Sequence, residues 1–174
     1  MNDEIQAIER HDAIIINWKG PYDKDEISYL EANNGGLYIF TGLTKYQRGE
    51  SHAQYCGITT QDYFTRFRQH HKKELVTRNQ EIWLGEIEYP ILNENRRSIL
   101  EKAEAIIIYT LGLNLNERKK VYAPKIPITI LNRWYKKDGT IRYNHVSSVN
   151  VPDVISWDGL NWRIGQKLSI FMHD

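Results

Sequence analysis

The residue best placed for acid or metal chemistry is Glu104. Residues 97–111 carry Ile99, Leu100, Ala103, Ile107 and Leu111 at helical spacing. With Ile99 as origin, Glu104 falls at about 140° around such a helix, between Leu111 and Ile108, while Glu101 falls at about 200° and faces more solvent. A carboxylate at the edge of an apolar arc is costly to ionise unless a cation, a hydrogen-bond donor or a metal compensates it. The same placement also suits a partly exposed acid paired with an arginine. A second group is Arg66 and His70, four residues apart, with Lys73 one turn on. On a helix these three share a face that can contact phosphate, although a solvated cationic face has the same pattern. Phe64 and Phe67 supply the apolar side of that helix. Tyr38 and Tyr55 sit inside short hydrophobic segments, where a phenolic hydroxyl needs a partner whether its role is catalytic or structural.

These side chains must be positioned by a modest set of elements. Residues 12–18 are apolar enough for a strand, closed by Lys19-Gly20-Pro21, and 23–32 reads as a short helix. The continuous apolar run at 37–40 predicts a strand buried on both faces, and 53–58 a second strand that could pair with it as a hairpin. Thr59 followed by Asp62 resembles a capping box, and 63–73 lacks Gly and Pro, so a helix is expected there. A third strand over 82–89 ends at Pro90, and the helix over 97–111 ends at Gly112, in the position of a C-terminal cap. Asp138-Gly139 and Asp158-Gly159, flanked by aromatic and β-branched residues, predict hairpins in the tail. The order is β-β-α-β-α with a β-rich tail.

At 174 residues the chain is expected to form one domain. The single cysteine, Cys56, excludes an intramolecular disulfide framework and any multi-cysteine zinc site. No apolar run approaches the roughly 20 residues of a membrane span, and the polar start does not resemble a signal peptide, so a cytoplasmic protein with no membrane partner is expected. The formal net charge is only +1, but the charge is segregated: residues 1–35 sum to −5 and residues 118–145 to +7. In the second stretch Lys119, Lys120, Lys125, Arg133, Lys136, Lys137 and Arg142 interleave with Tyr122, Trp134, Tyr135 and Tyr143. Such a stretch could reach phosphates and bases, or be a basic hairpin that merely extends the sheet.

Taken in order, Gly36-Leu37-Tyr38, Tyr55-Cys56-Gly57 with Thr59, Arg66-Phe67-Arg68-Gln69-His70, Ala103-Glu104 and Asn116 resemble the motifs of the GIY-YIG nuclease family, particularly its restriction-enzyme branch. Leu37 and Cys56 replace the isoleucines of the name motifs, at packing positions. The interval from Tyr55 to Arg66 is one residue longer than in many members, which leaves Arg68 as an alternative to Arg66; the four-residue step to His70 favours Arg66. Spacing likewise favours Asn116 over Asn114.

The resemblance implies an α+β fold, with a small antiparallel central sheet flanked by helices. Its nuclease core would span 36–117, between an N-terminal arm at 1–35 and a basic, hairpin-rich extension at 118–174. It also implies a metal-dependent DNA endonuclease of restriction type. Glu104 would hold one Mg²⁺, with Mn²⁺ able to substitute, and Arg66 would neutralise charge on the phosphorane. Tyr38 would be the general base, assisted by Tyr55 or His70, its phenol depressed by Arg66 and the metal. Asn116 would orient the loop or contact substrate, and Arg68 and Lys73 would bind substrate. DNA is the expected partner, with a homodimer on DNA suited to palindromic targets. A repair or homing nuclease, and a non-cleaving nucleic-acid-binding module on the same fold, are the alternatives.

Overall fold

A computed structural model describes residues 11–30, 34–91, 95–118, 124–143 and 149–165. Strand β1 (Asp12–Tyr22) is followed by β2 (Gly36–Thr44), β3 (His52–Thr59), helix α1 (Tyr63–Arg68), β4 (Val76–Tyr89) and helix α2 (Arg96–Leu111). Strands β5 (Ile128–Tyr135), β6 (Val154–Trp157) and β7 (Trp162–Gly165) complete the order, and two 3₁₀ turns lie at Glu26–Tyr29 and Lys73–Leu75. All the strands among the described residues join one seven-stranded sheet in the order β3-β2-β4-β1-β5-β6-β7. β1 and β5 run parallel and every other neighbouring pair is antiparallel.

This corrects the expected fold class. A small antiparallel sheet flanked by helices is not what forms: the sheet is mixed and wide, with only two α-helices among the described residues. The physical reason lies in the flanks. Residues 12–19, expected in an arm, pair in continuous register with 128–135, expected in an extension, from Asp12 opposite Ile128 to Lys19 opposite Tyr135. β1 therefore lies inside the sheet between β4 and β5, and β6 and β7 prolong the same ladder. Within it, β2, β3, α1, β4 and α2 follow one another as β-β-α-β-α, with β3-β2-β4 as an antiparallel trio.

Period-two alternation distributes the core over two faces. On one face Leu37 and Ile39 of β2, Ile14, Ile16 and Trp18 of β1, and Ile128, Ile130 and Trp134 of β5 pack with Leu100, Ala103, Ile106 and Ile107 of α2. Two indoles anchor this layer. Trp18 stacks on Trp134 at 5.8 Å and donates to Asn132 Oδ1 at 2.8 Å, while Trp134 donates to Asp153 Oδ1 at 3.0 Å. On the other face Tyr38 and Phe40 of β2 and Ile82 and Leu84 of β4 pack with Tyr63 and Phe67 of α1 and Ile27 of the first 3₁₀ turn. The two helices thus lie on opposite faces of β2, so residues from both can meet only around an edge. Among the described residues no helix is long and apolar enough to cross a membrane.

Candidate active site at the β3 edge

Strand β3 is the outermost strand on its side of the sheet, and the chain leaving α2 lies along it. α2 ends where Gly112 adopts a left-handed conformation and its N–H bonds Ile108 O at 2.9 Å. The turn sends Leu115 N–H to Gln54 O at 2.9 Å. Asn116 then clamps one residue of the strand: its Oδ1 accepts from Cys56 N–H at 2.9 Å and its Nδ2 donates to Cys56 O at 2.8 Å. The side-chain amide acts as one more ladder partner for the edge. The amide thereby ties the loop after α2 to the strand while Asn116 still lines a pocket beside it. Asn116→Ala would strand two buried backbone groups, so a loss of about 2 kcal/mol in urea unfolding is expected. Unchanged stability would mean that the clamp does not hold the strand.

The loop, β3, α1 and α2 enclose a polar pocket of about 680 Å³ lined by Tyr55, Ile58, Thr59, Thr60, Gln61, Arg66, Lys72, Arg97, Glu101, Glu104, Ile108, Leu115, Asn116, Glu117 and Arg118. Behind its floor lies Tyr38, fully buried. Arg66 Nε donates to the Tyr38 hydroxyl at 3.0 Å, and that hydroxyl lies 2.8 Å from His70 Nε2. The Tyr55 ring stacks on Tyr38 at 6.0 Å, and its phenol is electrostatically coupled to Tyr38 and Arg66. The structure thus brings Tyr38, Tyr55, Arg66 and His70 into one network and sets Glu104, only 8% exposed, on the same pocket.

The local route to this arrangement differs from the expected one. α1 stops at Arg68, and its N-cap is Asp62, which accepts from Thr65 N–H at 2.8 Å, with Thr59 still in β3. His70 therefore lies beyond the helix, and Arg66, His70 and Lys73 do not form a helical row. His70 turns inward instead, 5.0 Å from the rings of both Phe40 and Tyr55. Arg68 is exposed over the Phe64 ring at 5.7 Å, and Lys73 sits 3.8 Å from Glu74 in a separate acidic cleft. Neither lines the pocket.

The electrostatics of the three titratable groups bear on the general-base expectation. Burial pushes the Tyr38 phenol well above its ordinary value, reinforced by Tyr55, and the opposing pull of Arg66 does not reverse this. Tyr55 is likewise raised, by burial and by the charge of Glu104, against the pull of Tyr38 and Arg66. Burial and then Arg66 lower His70 to about 4, so its ring is neutral at neutral pH and Nε2 can accept the Tyr38 proton.

Periodicity could have found two further residues. Arg97 and Glu101 share the pocket face of α2 with Glu104 and Ile108 at steps of four, three and four residues. Nothing local signals Lys72, Glu117 or Arg118. Much of the basic stretch is occupied elsewhere: Arg133 pairs with Glu88 at 3.0 Å, Lys137 with Glu26 at 2.7 Å, and Arg142 donates to Gly20 O at 3.1 Å beneath the Trp83 ring. Lys119, Lys120 and Tyr122 lie outside the described residues. Among those described, no three or more His, Cys, Asp and Glu side chains gather into a metal cage. Glu104, with Glu101 and Glu117 on the same polar pocket, nevertheless fits Mg²⁺, which keeps several waters and takes the rest of its shell from one or two carboxylates and substrate phosphate. The chain matches no family model, no curated protein and no solved structure.

Proposed function

We propose that this protein is a metal-dependent endodeoxyribonuclease of the GIY-YIG type, acting as a restriction-type enzyme on phosphodiester bonds of DNA. The observation that carries the reading is the convergence of Tyr38, Tyr55, Arg66 and His70, drawn from two strands, a helix and a turn, on a pocket that also contains the buried acid Glu104. A structural tyrosine cluster needs no guanidinium at its mouth and no carboxylate across from it.

Arg66 reaches the pocket while its Nε is held by Tyr38, so its charge is placed in advance for the phosphate on which negative charge builds up. Tyr55 is the phenol that lines the pocket, and we assign it the proton of the attacking water; Tyr38, enclosed behind it, stacks on the Tyr55 ring and is itself fixed by neutral His70. A divalent ion on Glu104, Mg²⁺ or Mn²⁺, supplies phosphate polarisation and leaving-group stabilisation when bound.

Supercoiled plasmid should be nicked or linearised in Mg²⁺ and left intact in EDTA. Because the Tyr55 phenol is raised, the ionised base is scarce at neutral pH. Its population grows tenfold per pH unit, so the single-turnover rate should climb with a log-log slope of about 1 between pH 6 and 9. No inflection is expected near 6.5, since His70 is already neutral there. An inflection at that pH would move the base to His70, and salt-sensitive binding with no cleavage of any DNA would favour the non-cleaving module.

A further inference from the structure

Glu117 is an acid surrounded by bases. It lies in the loop after α2 with its side chain 79% exposed, and its carboxylate is ion-paired and hydrogen-bonded to Lys72, whose own side chain is only 19% exposed. Lys72, then His71 and Arg118, hold the Glu117 carboxyl below the usual carboxylate range. Lys72, Glu117 and Arg118 line the same pocket as Arg66 and Glu104. A phosphodiester resembles a carboxylate in bearing one negative charge over two acceptor oxygens, so cations that hold one can hold the other. An ion pair with one highly exposed partner contributes little and exchanges readily.

We propose that Lys72 and Arg118 form a subsite for a DNA backbone phosphate flanking the one that is cut, and that Glu117 occupies this subsite as an internal competitor until DNA displaces it. The identity of the polymer rests on the nuclease reading; the exchange of carboxylate for phosphate is a property of this loop. On binding, Lys72 releases Glu117 and takes up a phosphate oxygen, and Glu117 completes its move into the solvent it already faces.

The test is binding of a short fluorescent duplex by the full chain, without divalent metal, across a range of salt concentrations. Lys72→Ala should weaken binding and reduce the salt slope by about 0.9, the loss of one phosphate contact. Glu117→Gln should tighten binding about two- to fivefold, the scale on which an exposed pair competes. That gain should disappear in the Lys72→Ala background, because the two substitutions act on one contact. Glu50→Gln, which neutralises an exposed acid in the β2–β3 loop, is the control and should change nothing. A Glu117→Gln gain that persists without Lys72, or is reproduced by Glu50→Gln, would overturn the subsite. Plasmid cleavage by the same wild-type preparation separates the two readings. Coupled binding without cutting would keep the subsite and remove the nuclease, cutting with uncoupled substitutions would do the reverse, and a wild-type chain that binds no duplex would remove both.

Discussion

Glu104→Gln is expected to lower the rate of strand cleavage by roughly 10³-fold while the protein keeps its native circular-dichroism spectrum. Glutamine preserves the volume of a side chain wedged beside Ile108 on the pocket face of α2 and retains one carbonyl acceptor there. What it removes is the negative charge that would hold the metal. The same charge raises the Tyr55 phenol, so the substitution should also shift the Tyr55 titration downward, which ultraviolet difference spectra can follow. The phenol shift follows from the lost charge alone, whereas a purely packing role for Glu104 would leave the cutting rate unmoved, and unchanged cutting by rigorously purified Glu104→Gln protein would sink the metal assignment. Duplex binding without metal should survive, because Arg66, Lys72, Arg97 and Arg118 remain.

Residues whose environment is set by near neighbours were legible from the amino-acid order. The run at 37–40 is buried on both faces of β2, the wheel over 97–111 puts Glu104 at the margin of the α2 core, and Gly112 ends that helix. Pairing partners were not legible, because alternation says which face a residue takes and nothing about which strand lies alongside. β1 and β5 meet across more than a hundred residues, and that one parallel contact turns an apparent arm and an apparent extension into the middle of the sheet. The charge segregation has a related explanation. Glu26, from the acidic start, neutralises Lys137, from the basic tail, so part of the asymmetry is spent inside the fold.

The helix after β3 forms where expected, at Tyr63, but ends early for a different reason. Nothing in 63–73 breaks a helix, yet α1 closes after six residues, with His70 N–H bonding Phe67 O at 3.3 Å in a tightened turn. The imidazole is drawn into the aromatic cluster and onto the Tyr38 hydroxyl, and that tertiary demand overrides a weak local preference. The spacing of Arg66 and His70 was therefore informative about their meeting and misleading about how they meet. Phenol ionisation was illegible for the same reason: residue order shows the cation near Tyr38, but only the packing around the ring shows how fully water is excluded.

Gly57→Ala should damage both stability and cutting, and the cause is space rather than backbone freedom. Gly57 pairs directly with Tyr38 across the β2–β3 ladder. A Cβ there would stand 2.5 Å from both Cζ and the hydroxyl oxygen of Tyr38 and 2.7 Å from Cε1 of Tyr55. Neither ring can step aside cheaply. Tyr38 is enclosed by Phe67 at 4.9 Å and Phe40 at 5.3 Å, and its hydroxyl is tied to Arg66 and His70. Overpacking of this kind costs about 1–3 kcal/mol, and an ångström-scale displacement of reacting groups costs about 10²-fold in rate. Gly112→Ala supplies the contrast. Gly112 has φ of 57° and open space around its Cα, so alanine there meets backbone strain of about 1–2 kcal/mol and no neighbour. It should lower the unfolding midpoint and leave the cutting rate of the folded fraction intact. If Gly57→Ala and Gly112→Ala lose stability alike but neither loses rate, the stacked tyrosines are packing and the base must be sought elsewhere in the pocket.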